Sequence, residues 1–101
     1  MMSKSVTTIE PIHPGEVLAH EFMEPLGISA NKLAKHIEVP TNRITGIING
    51  QRGISGDTAL RLSKAFGTTA EFWINLQGHY ELECAKDATG ATILSIERFV
   101  A

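Results

Sequence analysis

The chain has 101 residues, 43% hydrophobic and 20% charged, with a formal net charge of −2 and a single cysteine. That length suits one domain with one core, and the hydrophobic share excludes wholesale disorder. No apolar run reaches the ~18 residues of a membrane span, the opening MMSKSVTTIEP has no secretory apolar stretch, and Cys84 alone cannot close an internal disulfide; the expected location is cytoplasmic, with no membrane partner.

Helical periodicity dominates the chain. His13-Pro14-Gly15-Glu16 reads as a helix start, because proline suits the first helical position and Glu16 lies near the positive end of the helix dipole. Val17, Leu18, Phe22 and Leu26 supply the apolar face, and Pro25 with Gly27 ends the helix. Ser29 is the expected N-cap of a second helix with Leu33, Ala34 and Ile37 inward, broken at Val39-Pro40. A third helix buries Ile44, Ile47 and Ile48 and closes at Asn49-Gly50. After the loop 51–56, a fourth helix from about Asp57 to Phe66 buries Ala59, Leu60, Leu62 and Phe66. Thr68-Thr69-Ala70-Glu71 has capping-box spacing and opens a fifth helix, with Phe72, Trp73, Leu76 and Tyr80 as core or interface, running to about Ala85. Residues 87–90 read as a turn, and Thr92 to Phe99 as a β-like segment. A lone strand needs a partner for its N–H and C=O groups. The expectation is antiparallel pairing with the same strand of a second copy, a homodimer; the alternative is a helical or unpaired tail.

Charge is unevenly placed. Residues 1–26 carry a net −3, residues 27–66 a net +4, and residues 67–101 a net −3. Two short helices joined by a tight turn, inside that basic centre, fit a helix-turn-helix. Over residues 29–50, Ala34 supplies the small contact residue, Val39 the anchor in the turn, and Ile44 and Ile47 the buried side of the second helix. Thr41, Asn42, Thr45 and Gly46 are then left facing outward, small enough for close approach to base edges.

The run LAKHIEVPTNRITGIING resembles the helix-turn-helix of the lambda-repressor-like (XRE) class. HPGEVLAHEFMEPLGIS at 13–29 and TALRLSKAFGTTAEFWINLQGHYEL at 58–82 resemble the HigA/VapI-type antitoxins, so that the likeness spans about residues 12–83. The class often has glycine where this chain has Glu38. Glycine permits positive φ there; glutamate adopts it at a cost, or the turn differs, and its charge weakens attraction to phosphate.

The expected fold is all-α, five helices of lambda-repressor-like type with a short C-terminal strand. Residues 1–11 form a flexible arm, 12–86 the DNA-binding domain and 87–101 the dimerisation tail. Asn42 is the first candidate base reader, since asparagine bonds adenine N6 and N7 together; the alternative is an asparagine that satisfies backbone N–H groups at a helix start. Thr41 matches a DNA-facing position of the family, or is a cap, and Thr45 lies one turn on. Gly46 lets the helix sit deep in the groove, at a helix cost of ~1 kcal/mol. Arg43 reaches a guanine or a phosphate, or is a solvated arginine. The resemblance implies phosphate contacts at Asn31 and Lys32, and Asn49 and Arg52 read as backbone clamps. No catalytic grouping, cofactor motif or metal-ligand spacing is present.

By resemblance, the chain is a homodimeric repressor of operator DNA and the antitoxin of a HigB/RelE-type ribonuclease toxin, and is not an enzyme. The alternatives are a stand-alone regulator without a toxin and an interaction module that has lost DNA binding.

Overall fold

The computed structural model describes residues 10–100; most of the arm expected at residues 1–11 lies outside them. Five helices follow one another, and no strand occurs among the described residues. Helix α1 comprises Pro14–Val17, a π-helical Leu18–Met23 and Glu24–Leu26; α2 is Ala30–Ile37, α3 Thr41–Ile48, α4 Gly56–Phe66 and α5 Ala70–Leu94. None of them is long and apolar enough to cross a membrane.

Helix α1 starts as its sequence predicts. His13 is the N-cap, its Nδ1 accepting the Gly15 N–H at 2.9 Å, and Pro14 follows as the first helical residue. The π turn was not legible. Pro25 has no N–H and its ring crowds the carbonyl one turn back; just before it the helix widens, and Glu24 N–H donates to Ala19 O, five residues back. The wider turn shifts the inward face. Leu18 and Met23, five apart, are buried, while Leu26, expected inside, is 64% exposed.

The core joins Leu18 and Met23 to Leu33, Ala34, Ile37, Ile44, Ile47, Ile54, Ala59, Leu62 and Trp73. Trp73 is fully buried; its ring stacks at an angle on Phe22, 4.9 Å between centroids, and its indole N–H donates to Thr68 Oγ1 at 2.7 Å. This bond moves the expected cap by one residue. Thr68 is taken by the indole, and Thr69 caps α5 by accepting the Phe72 N–H. Leu60 is exposed, because Ala59, Leu62 and Phe66 define the inward stripe of α4 and Leu60 lies off it. Gly15 sets the approach of α1 to α3: a Cβ there would overlap the carbonyl oxygen of Ile47.

The expected C-terminal strand and its pairing across a dimer are not found. Helix α5 runs through the expected turn to Leu94, leaving helical geometry only at Thr89 (φ −133°, ψ 17°). A helix satisfies its own N–H and C=O groups within one segment; a solitary strand leaves them open. Extension of an existing helix also needs no new nucleus, so that β-branched Thr92 and Ile93 are drawn into it.

Candidate nucleic-acid interface

Helix α2 opens at Ser29, whose Oγ accepts the Lys32 N–H at 3.1 Å. It ends at Glu38, which is left-handed (φ 63°, ψ 49°) and is the sole non-glycine of positive φ among the described residues. The chain thus keeps the glycine-type turn with a glutamate in it. Val39 N–H closes the turn on Ala34 O at 3.0 Å, and extended Pro40 leads into α3. Ile44 and Ile47 are fully buried against α2 and the core, as their spacing predicts.

Asn42 is exposed near the start of α3. Thr41 Oγ1 donates to Asn31 Oδ1 at 3.0 Å, so that the first turns of α2 and α3 are tied together. Thr41 is not the cap: Pro40 holds that position and offers no side-chain bond. Thr45 is half-buried and bonds back to Thr41 O at 3.4 Å. Lys32, Asn49 and Arg52 are exposed around this pair of helix starts and the loop after α3.

Gly46 is not outward-facing. It is buried, and a Cβ on it would lie 2.7 Å from Cδ of Arg52. The aliphatic stem of Arg52 lies across Gly46, whose carbonyl accepts the Gln51 and Arg52 N–H groups at 2.8 and 3.2 Å. The missing side chain at position 46 therefore seats an arginine.

Arg43 is turned toward α4. Its Nη1 donates to Asp57 Oδ2 at 2.7 Å, and the same oxygen accepts from Arg61 Nε at 3.0 Å. Arg61 Nη1 reaches on to Ile37 O at 2.7 Å. The hydrogen bond from Arg61 is the first cause that holds the Asp57 carboxyl below its ordinary range, with Arg43 adding to it. Sequence reading passed over Asp57 and Arg61, although acid and arginine four apart at a helix start is a recognisable pairing signal.

Two further residues support the loop that carries Arg52. Gln77 Oε1 accepts the Ile54 N–H at 2.8 Å while its Nε2 donates to Glu81. His13 is buried, with its ring edge on Tyr80 at 4.8 Å between centroids. Burial lowers its pKa from 6.5, against the upward pull of Glu16 and of a bond to the Arg52 backbone.

The family model described as Helix-turn-helix matches residues 20–73. Virulence-associated protein I of Dichelobacter nodosus is 49% identical over 75 residues, which are 74% of this chain and 69% of that protein. A HigA-family addiction module antidote protein of Coxiella burnetii superposes with a TM-score of 0.85 at 51% identity, over 90% of this chain and 100% of that one. Pseudomonas aeruginosa antitoxin HigA, solved with the higBA promoter, does so with a TM-score of 0.85 at 43% identity, over 90% and 100%.

Proposed function

This chain belongs to the helix-turn-helix family, with HigA-type antitoxins as its relatives, and on that premise we propose that it is a sequence-specific DNA-binding repressor acting as the antitoxin of a toxin–antitoxin module. The observation that carries this reading is the Thr41–Asn31 bond. It brings the starts of α2 and α3 together, with Asn42 exposed on the second. In that arrangement one helix start meets the backbone of a duplex while the other enters its major groove. The relative from Pseudomonas aeruginosa, solved with a promoter, supports it.

In this reading Asn42 bonds an adenine edge, and Thr41 and Thr45 meet neighbouring base edges or a thymine methyl. Asn31, Lys32, Asn49 and Arg52 contact phosphates, which fix register without reading sequence. Gly46 contributes by seating Arg52. The protein works as a homodimer whose two reading helices meet half-sites ~34–36 Å apart or a multiple of that. The tail, residues 87–101, takes part in dimerisation through its apolar side chains. The toxin is a ribonuclease of the HigB/RelE type, silenced when the antitoxin covers it, and the operon repressed is the one encoding both proteins.

Fluorescence anisotropy on the DNA upstream of its own reading frame, across a salt series, tests the repressor reading. Expected are palindrome-dependent binding that weakens steeply with salt, loss of sequence preference in Asn42→Ala, and uniform weakening in Arg52→Ala. Indifference to sequence would overturn the reading. Failure of a neighbouring toxin to co-purify would overturn the antitoxin half and leave a stand-alone regulator.

A further inference from the structure

We infer that Asp57 and Arg61 are positioning residues for Arg43, and that this three-residue brace sets part of the sequence preference of α3. The inference rests on the DNA-binding reading above.

Arg43 is the third residue of α3, directly after Asn42. A free arginine there would sample many rotamers before meeting a base or a phosphate, and ordering it would cost affinity. Here it is held at one point, Nη1 on Asp57 Oδ2 at 2.7 Å. A guanidinium has five N–H donors in a rigid fork. The single-point hold leaves its other edge for a bidentate partner such as guanine O6/N7, and the comparison of selected and shuffled duplexes below separates that from a phosphate.

Asp57 is in turn fixed by Arg61 Nε at 3.0 Å. Arg61 is anchored in backbone: its Nη1 donates to Ile37 O at 2.7 Å, with Glu38 O at 3.4 Å. The chain of contacts therefore runs from the end of α2 and the left-handed turn residue, through α4, to the reading helix. The charge count matters too. One carboxylate faces two guanidiniums, so that Asp57 presents no net repulsion to phosphate. Exposed ion pairs of this kind add little to stability, and the side chains of Arg43 and Asp57 are 28% and 56% exposed. The contribution of the brace is orientation.

The test is a double-mutant cycle on the full chain with Arg43→Ala, Asp57→Asn and the pair together. The probes are a duplex that the wild-type protein selects from a randomised pool and a shuffled duplex of the same composition. Asp57→Asn is expected to lower the preference for the selected duplex about tenfold, with little change on the shuffled one. In the Arg43→Ala background the same substitution should change nothing. Arg61→Lys keeps the charge but loses the rigid fork that places separate nitrogens on Asp57 and Ile37 O, and should lose preference as Asp57→Asn does. Thermal unfolding of each variant separates a loss of preference from a loss of fold. Tighter binding of Asp57→Asn to both duplexes would mark Asp57 as a plain repulsive charge and overturn the inference. Equal losses in both backgrounds would overturn it as well. A wild-type protein that selects no duplex overturns the DNA-binding reading itself, and the brace with it.

Discussion

At Gly46 two effects oppose each other. Alanine is the better helix former by ~1 kcal/mol, yet its methyl would stand 2.7 Å from Cδ of Arg52. Arg52 is exposed and its stem can swing away, so that the fold should survive. Gly46→Ala is expected to keep or raise the melting temperature while weakening binding on every duplex about equally. The salt slope should fall by roughly one phosphate contact, as read by anisotropy across a salt series. Glu38 is the converse case, a side chain where the backbone favours none. Left-handed geometry costs a non-glycine residue ~1–2 kcal/mol, and Glu38 adopts it at φ 63°. Glycine's greater freedom in the unfolded chain offsets ~0.4–1 kcal/mol of this, so that Glu38→Gly should raise the melting temperature by a few degrees, measured by circular dichroism. It should also tighten DNA binding at low salt, because a negative charge leaves the turn.

At the scale of helices, the start of α1 depends on the protonation state of His13. Its Nδ1 must be unprotonated to accept the Gly15 N–H, and burial is the main cause that lowers its pKa from 6.5. The folded state thus favours the neutral ring. That contribution is complete above the unfolded value and is lost as pH falls from about 6.5 through the folded value. Denaturant midpoints should drop as pH falls below about 6.5, and His13→Asn, which retains a cap acceptor without a titrating ring, should flatten the drop. This helix start was legible in the sequence because cap, proline and acid are local signals. So were Ser29 and the inward Leu33, Ala34, Ile37, Ile44 and Ile47. What depended on side-chain packing and on local backbone irregularity was not. The cap of α5 fell at Thr69 because a buried indole claimed Thr68. The inward face of α1 moved to Met23 because Pro25 is preceded by a π turn. Arg43 looked free because its partner, Asp57, is fourteen residues away. The strand expected at the C-terminus followed from β-branched and aromatic residues with partial alternation, and neither signal carries information on whether a pairing edge exists.

For the whole molecule, the net −2 conceals a basic centre of +4 between flanks of −3 each. The centre contains the helix-turn-helix, and the second acidic flank contains α5, whose far half leaves the core. Leu82, Ile93, Leu94, Ile96 and Phe99 are all exposed there, and Leu82, Ile93 and Leu94 line an apolar hollow of about 550 Å³. Apolar side chains gathered on one face favour association, since each buried Å² contributes ~25 cal/mol. Two copies joined through this helical end would present two reading helices to one palindrome, with no strand required. The expected outcome is a dimer by sedimentation equilibrium at micromolar concentration, converted to monomer by Leu82→Lys with Ile93→Lys. Both positions are exposed, so that the charges should leave each domain folded. Loss of the dimer should abolish preference for a two-half-site duplex over a single half-site, while contacts within each half-site persist. A double variant that stays dimeric would move the interface elsewhere on the chain. A monomeric wild-type protein that still prefers the palindrome would mean that the two copies meet only on DNA.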